Sequence, residues 1–253
     1  MKFLLATSLY FTKIQLAKSD IYNLQQFYRS HDNSNIETIE NYGCWCVFSD
    51  IVSGHGRPQD EMDAACKRLH DNYRCIVKDF KDEKLECDPV AVDYVFNKEE
   101  IFQTISEISN NSNSNNNNQH YLFDYCDHKN NTPCGRQACK ADLNFLLESF
   151  PLMFNPSKVN QFFNRKDNHF DHTSQCGKNS PNRHDKIECC GTVPNQIIYS
   201  PEKTGLECCS AANQIFNPVT EICEGEYVVS LTSDLNVDRL VLDMSQDFDF
   251  DFA

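Results

Sequence analysis

Fourteen cysteines constrain this chain more than any other feature of its sequence. Their number is even, and all of them lie between Cys44 and Cys223. In a chain of 253 residues this pattern is typical of a disulfide framework formed in an oxidising compartment, because cytosolic thiols are kept reduced. No C-x-x-C pair occurs and no cysteine–histidine spacing matches a zinc site, so structural zinc is not predicted.

The N-terminus agrees with export from the cytosol. Lys2 precedes an apolar stretch from Phe3 to Phe11, and Ala17 is a small residue suited to a cleavage point, so residues 1–17 are predicted to be a signal peptide. No later apolar run approaches the roughly 20 residues that a membrane span needs. We therefore expect a soluble mature protein that is secreted or held in the lumen of secretory vesicles.

The net charge of −14 limits the partners that the chain can bind. Nucleic acids and strongly anionic membranes would be repelled, so a lipid surface that the protein contacts is predicted to be zwitterionic. Glycosylation sequons that begin at Asn110 and Asn130 fit a secreted protein.

Composition divides the chain after the signal peptide into a main domain, a module and a tail. The main domain is predicted at 18–160, with an asparagine-rich tract near 109–119 that is too polar to bury a core and is predicted to be a disordered insertion. A cysteine-rich module is predicted at 161–230. Residues 231–253 end in the sequence DFDFDFA and are predicted to be a flexible acidic tail.

Two amphipathic helices are predicted in the main domain. The first runs from Pro58 to about Phe80, because proline suits a first helical position. The second spans roughly Cys134 to Met153. The apolar residues that form one face of the first helix, at steps of three and four, are Met62, Ala65, Cys66, Leu69, Tyr73, Ile76 and Phe80.

Four sequence motifs of the main domain occur in an order that is found in one enzyme family. They are YGCWC at 42–46, the glycine-bearing loop G-x-G-R-P at 54–58, the helical segment Asp63–Tyr73, and Cys134 with Cys139 and Asp142 downstream. Over about residues 40–150 the chain resembles the secreted phospholipase A2 family. The resemblance implies a mainly α fold of two long antiparallel disulfide-linked helices, followed in this chain by a small irregular disulfide-rich module.

The resemblance also implies calcium-dependent hydrolysis of the sn-2 ester of glycerophospholipids. In that chemistry a helical histidine acts as general base on a water molecule, and a carboxylate from the second helix orients the histidine. Calcium polarises the ester carbonyl and stabilises the oxyanion. Carried over to this chain, the candidate catalytic residues are His70 as the base, Asp142 as the orienting carboxylate, and Tyr73.

The calcium ion would lie between the glycine-bearing loop and the first helix. The candidate positions for it are Trp45 and Val47, in the segment that leads into the glycine-bearing loop, and Asp71 in the helix. The family has glycine where this chain has Val47, and a loop without that glycine is less free to point its carbonyls at one ion. The structural alternatives are a solvated charge for Asp71 and a core aromatic for Trp45.

Two registers of the first helix stay open. Without a gap in the alignment, Leu69 takes the position of the catalytic histidine and His70 takes that of the calcium-binding aspartate. One residue corresponds to 100° of helix, so Asp71 would then point toward solvent. A π-bulge, which absorbs one extra residue, would instead bring His70 and Asp71 into place.

The cysteines favour the ungapped register. In that register two family disulfides lose both of their partners together, and the retained Cys66 pairs with Cys46, as its family counterpart does. The family pattern names no partner for Cys75. The cysteines for which the resemblance implies a structural role are Cys44, Cys46, Cys66, Cys87, Cys126, Cys134 and Cys139.

Two functions are consistent with these patterns. The first is a calcium-dependent secreted phospholipase A2 that acts at a phospholipid membrane surface. The alternative is a catalytically silent protein of the same type that binds or scaffolds in the extracellular space, with His70 a helix-edge residue and Asp142 a structural link between helices. From spacing alone, Cys176 to Cys223 resembles a di-cysteine-repeat module of extracellular-matrix type, which would bind an extracellular protein partner.

Overall fold

The structure is a computed structural model. It describes residues 24, 39–48, 54–96, 101, 103, 122–153, 163, 170–177 and 187–231. The predicted signal peptide, the asparagine-rich tract and the tail beyond Leu231 lie outside these described residues. Within them the chain is disulfide-rich and partly helical, with two long helices and three small sheets. No helix in the described ranges combines the length and the apolar character that crossing a membrane requires.

The two long helices precede the strands in the chain, and one short helix lies between the second and third strands. The helices are α1 (Glu61–Asp82), α2 (Pro133–Met153), α3 (His172–Gln175) and α4 (Pro201–Thr204), with short 3-10 turns at Tyr125–Asp127 and Ser210–Ala212. The strands are β1 (Glu188–Cys190), β2 (Ile197–Tyr199), β3 (Glu207–Cys209), β4 (Gln214–Phe216), β5 (Glu221–Glu224) and β6 (Tyr227–Ser230).

Helix α1 begins later than its sequence predicts. The Asp60 side chain accepts a hydrogen bond from the Asp63 backbone N–H at 3.0 Å, which makes Asp60 the N-cap. The predicted start at Pro58 is therefore three residues too early. An aspartate that satisfies a free N–H of the first turn fixes the boundary, and the proline lies outside the helix. The basic Lys81 in the last turn suits the negative end of the helix dipole.

Helix α1 is a regular α-helix at every residue from Glu61 to Asp82, so it contains no π-bulge. The ungapped register is therefore the one that the structure has. Leu69 and His70 are each 2 % exposed, although they point 100° apart around the helix. The helix is consequently buried on more than one side.

Helix α2 packs against α1 and supplies the other half of the core. It begins at Pro133, and the Thr132 hydroxyl accepts a hydrogen bond from the Gly135 N–H at 3.0 Å. Arg68 of α1 donates to Glu148 of α2 at 2.7 Å. The helix residues whose side chains are buried to 2 % exposure or less include Met62, Leu69, Ile76, Leu143, Phe145 and Leu146.

All fourteen cysteines are paired in seven disulfides. The Cys46–Cys66 pairing that the family resemblance implies is present. The other disulfides that involve the predicted main domain are Cys44–Cys176, Cys75–Cys189, Cys87–Cys134 and Cys126–Cys139. These bridges connect the loop around 44–46, both long helices and the C-terminal part of the chain.

The C-terminal part is regular, which corrects the prediction of an irregular module. It contains three two-stranded antiparallel hairpins, β1–β2, β3–β4 and β5–β6. Successive side chains of a strand point to opposite faces, so two adjacent cysteines can bond in opposite directions. Thus Cys189 bonds to α1 while its neighbour Cys190 bonds to the second hairpin, and Cys209 continues the chain of bridges to the third.

The first hairpin is attached to the outer side of α1. The Cys75–Cys189 disulfide supplies the partner that the family resemblance could not name for Cys75. Close to it, the Lys78 ammonium lies 3.2 Å from the Glu188 carboxylate. The Gln196 backbone N–H also donates to the Asn72 side chain at 3.3 Å. The first hairpin is therefore an integral cover of this side of α1.

Candidate functional site

A buried carboxylate joins the two long helices. Asp142 of α2 is 2 % exposed, and its two oxygens accept hydrogen bonds from the hydroxyls of Tyr73 and Tyr94. A carboxylate in the core is costly unless it is hydrogen-bonded, so the two tyrosines make this position tolerable. The structure therefore brings together Asp142 and Tyr73, two of the three candidate catalytic residues.

Burial changes the proton affinity of this cluster. Desolvation raises the pKa of Asp142 to about 7, although the hydrogen bonds from Tyr73 and Tyr94 act to lower it. Burial, together with the nearby Asp142 charge, raises the pKa of each tyrosine well above 10. Asp142 can thus gain or lose a proton near neutral pH while both phenols remain protonated.

Tyr94 was not found by sequence reasoning. It lies in a segment between the helices that has no helical or strand periodicity, and no local pattern marks it. The adjacent Val95 is fixed by Asn131, whose side chain accepts from the Val95 N–H at 2.6 Å and donates to the Val95 carbonyl at 2.8 Å. The tyrosine is therefore positioned by a hydrogen-bonded bracket from a distant loop, which only the tertiary structure reveals.

His70 lies beside Trp45. The two ring centroids are 5.9 Å apart in an edge-to-face arrangement. Leu69, four residues before Tyr73, shares the face of α1 that carries this tyrosine. The described hydrogen bonds to the Asp142 carboxylate come from Tyr73 and Tyr94. The role of His70 as a general base stays a prediction.

Asp71 is not a solvated charge, which corrects one expectation. It is 7 % exposed and forms an ion pair with Lys67, one turn earlier on α1. The Lys67 ammonium also lies 5.2 Å from the centroid of the Trp45 ring. The expectation was wrong because it treated α1 as buried on one side only, whereas Trp45 and the first hairpin cover other sides.

The glycine-bearing loop is organised by a buried acid. Asp63 accepts hydrogen bonds from the backbone N–H groups of Cys44 at 2.9 Å, Trp45 at 2.7 Å and Gln59 at 2.9 Å. Burial raises the pKa of Asp63, and this outweighs the opposite effect of the three N–H groups. Asp63 thus holds the two ends of the loop together and supports the packing of Trp45.

Trp45 fills the space inside this loop. Its indole N–H donates to the Gly56 carbonyl at 3.1 Å. A Cβ atom on Gly54 would lie 2.3 Å from the Trp45 ring, so only glycine fits at that position. The Val47 backbone N–H donates to the Trp45 carbonyl at 2.7 Å. Trp45, a candidate calcium position, is therefore a buried core aromatic.

The described residues around Asp71 do not fit a calcium ion. Calcium needs six to eight oxygen ligands, with carboxylates free to bind it. Here the Asp71 carboxylate is neutralised by Lys67, and the Gly56 carbonyl accepts from Trp45. The described part of the chain also holds no group of three His, Cys, Asp or Glu residues placed to bind a metal. The calcium roles of Asp71, Trp45 and Val47 stay predictions.

The fold and this site define a disulfide-rich, partly helical protein with a buried acid–tyrosine cluster. Comparison with curated proteins shows similarity to the group IIF secretory phospholipase A2 of Homo sapiens. The identity is 25 % over 175 residues, which is 69 % of this chain and 73 % of the human protein. No family model matches the chain, and no solved structure matches it. The similarity is consistent with a divergent secreted-phospholipase-A2-like protein. Together with the many disulfides, this similarity suggests an extracellular location.

Proposed function

We propose that this chain is a divergent, secreted phospholipase A2-like protein that acts by binding and does not hydrolyse phospholipids. The observation that carries this proposal is the register of α1. Tyr73 contacts Asp142, and the residue four positions before Tyr73 on α1 is Leu69. His70, three positions before Tyr73, lies on the other side of this tyrosine and packs against Trp45. A leucine cannot accept a proton from water, so the position that corresponds to the family's catalytic histidine in the ungapped register holds no general base.

The lysine near the loop supports the same proposal. The Lys67 ammonium forms an ion pair with Asp71, the carboxylate of α1 that was the candidate calcium ligand. It is fixed in place by the chain, but it cannot exchange ligands with an ester carbonyl as a metal can. The site is thus arranged for structural neutralisation of Asp71 instead of calcium chemistry.

The paired helices support the phospholipase A2-like part of the proposal. Arg68 of α1 contacts Glu148 of α2, and Tyr73 contacts Asp142. The residue numbers of these partners increase along α1 and decrease along α2. This order of contacts is that of an antiparallel pair. Together with the similarity to the human phospholipase, it favours a retained scaffold whose chemistry has been lost.

The proposed place of action is the extracellular space, where seven disulfides are stable. The hairpins from β1 to β6 are the proposed contact surface for an extracellular protein partner. A phospholipid surface remains a proposed second partner, and the net charge of −14 favours zwitterionic over anionic lipid.

Calcium-dependent hydrolysis is the second candidate function, and one observation favours it. Asp142 titrates near neutral pH in a buried cluster with Tyr73. A carboxylate of that kind could orient a histidine and stabilise its protonated form. His70 lies three residues before Tyr73, which places it within one helical turn of this cluster.

Hydrolysis of the sn-2 ester in phosphatidylcholine vesicles separates the two functions. The purified secreted protein, with its disulfides intact, is assayed in calcium and again in a chelator. We expect no turnover above the background of vesicles alone, and no difference between wild type and His70→Gln. Calcium-dependent turnover that disappears in His70→Gln, but not in the surface variant His128→Gln, would overturn the proposal and establish the enzyme.

A further inference from the structure

A second site lies where the first hairpin meets the two helices. There the structure has a cavity of about 430 Å³ that is open to solvent on one side and is lined by the C-terminal part of α1, by α2 and by the β1–β2 turn. Its volume falls in the range of about 300–1,000 Å³ that is usual for small-molecule sites. His70, Tyr73 and Asp142 are not among its described lining residues, so the cavity is separate from the acid–tyrosine cluster.

Part of the cavity lining is apolar. Ile76 and Phe80 of α1 and Val193 of the β1–β2 turn line it. Ile76 is 1 % exposed, while Phe80 and Val193 are partly buried and pack against the core. These side chains offer a surface for a compact apolar group, and the Phe80 ring can also attract a cation.

The cavity lining at the C-terminal end of α1 is acidic. It includes Asp79 in the last turn and Glu83, the C-cap residue that follows the helix. The Gln196 side-chain N–H donates to Asp79 at 2.8 Å. Lys140 of α2 also lines the cavity, but its ammonium lies 3.0 Å from the Asp127 carboxylate, which balances its charge.

Gln196 gives the second, independent observation. This lining residue is 7 % exposed, and its amide oxygen accepts no hydrogen bond from any residue that the structure describes. Exchanging the oxygen and nitrogen of the amide would place the oxygen against the Asp79 carboxylate, so Asp79 fixes the orientation. A buried acceptor without a donor is unfavourable, and a ligand with N–H groups would satisfy it.

We propose that this cavity binds a small molecule that carries a primary ammonium group on a compact apolar body. The ammonium would donate to the Gln196 amide oxygen and to the carboxylates of Asp79 and Glu83, since it has three donors and no acceptor. The apolar body would pack on Ile76, Phe80 and Val193. The site is formed where the first hairpin joins α1, so it depends on the Cys75–Cys189 disulfide. It does not depend on whether His70 acts as a general base.

Calorimetric titration of the full, disulfide-bonded protein tests this proposal with benzylamine as the probe and benzyl alcohol as its neutral isostere. We expect benzylamine to bind at least about tenfold more tightly, because a charge-assisted hydrogen bond contributes roughly that factor. Glu83→Gln should weaken benzylamine binding about fivefold or more. Glu86→Gln, which removes the same charge from an exposed residue outside the lining, should leave it unchanged.

Three results would overturn the proposal. One is no saturable binding of benzylamine, and another is equal binding of the amine and the alcohol. The third is equal weakening in Glu83→Gln and Glu86→Gln, which would indicate attraction by overall charge alone. A further variant, Thr192→Trp, fills the cavity from an exposed turn and should abolish binding while the thermal unfolding midpoint stays at the wild-type value.

Discussion

The two long helices and the three hairpins are stabilised in different ways. On α1 and α2 the buried side chains are large and apolar, such as Met62, Phe145 and Leu146. Among the described residues of 187–231, the buried hydrophobic side chains are those of two disulfide cysteines, Cys190 and Cys209, and of Phe216. Apolar burial therefore stabilises the helices, whereas covalent links and backbone pairing stabilise the hairpins.

This difference explains why the polar clusters lie where they do. A tightly packed helix pair can hold a buried carboxylate such as Asp142 because the surrounding structure fixes its two donors. Hairpins with little core cannot exclude water in that way. The polar side chains of the first hairpin, such as Gln196 and Glu188, instead contact polar side chains of α1. The cavity at Gln196 forms at the boundary between the two kinds of structure.

The largest expected effect is on the helix core. Phe145→Ala should lower the free energy of unfolding by about 3–5 kcal/mol, because it removes a fully buried ring that packs 5.7 Å from Phe48, centroid to centroid. Equilibrium unfolding in guanidinium chloride measures this loss. Val219→Ala, at a side chain that is 81 % exposed in the hairpin region, is the control and should change the value by less than about 0.5 kcal/mol. Similar losses in both variants would contradict the comparison.

The sequence predicts the helices well because their apolar period reports burial directly. The predicted span from Cys134 to Met153 differs from α2 by one residue at its start. The boundary error at Pro58 arose because a proline and a capping aspartate both signal a helix start, and only Asp60 makes the capping contact. The hairpins were missed because strands of three or four residues are too short to display alternation.

The candidate site was predictable only in part. Asp142 and Tyr73 follow from sequence motifs on two helices, and the structure brings them together. Tyr94 could not be found, since its position depends on a contact with Asn131 that lies far away in the chain. The burial of Asp71 was also missed, because a helix pattern cannot show that a loop and a hairpin cover the other sides of α1.

The second effect concerns the bridges between hairpins. Replacing Cys190 and Cys208 by serine together should destabilise the hairpins by about 3 kcal/mol, the value expected for opening a loop with a sequence separation of 18. Hydrogen exchange should become faster in β1 to β4 while α1 and α2 keep their protection. Equal loss of protection in the helices would mean that both regions unfold as one unit, which would remove the distinction between them.

The third effect is a pH dependence that belongs to the helix core. The pKa of Asp142 is about 7 in the folded chain, against 3.8 ordinarily, so the folded state binds more protons between these pH values. The stabilisation is therefore complete below about pH 4 and is lost as the pH rises through 7. Between pH 5 and pH 7 the Asp142 contribution should fall by about 2–3 kcal/mol.

Asp142→Asn isolates this contribution, because the amide does not titrate but keeps a similar shape. Free energies of unfolding are measured for both proteins at several pH values from 4 to 8. The wild type should lose more stability than the variant as the pH rises across this range. Parallel curves for the two proteins would show that Asp142 is not the titrating group, and would place the pH dependence elsewhere in the chain.

The smallest expected effect tests the charge beside the loop. Lys67→Met should cost about 1–2 kcal/mol, because it leaves the buried Asp71 carboxylate without its ammonium partner, although Lys67 itself is partly exposed. The double variant Lys67→Met with Asp71→Asn should recover most of this loss. Lys81→Met, at an exposed lysine of the same helix, should lose almost no stability.

If Lys67 replaces a metal ion, adding calcium should not raise the unfolding midpoint of the wild type. A rise that saturates with calcium, and that Asp71→Asn abolishes, would show that the carboxylate exchanges its lysine for the ion and would restore the calcium-binding interpretation of the loop.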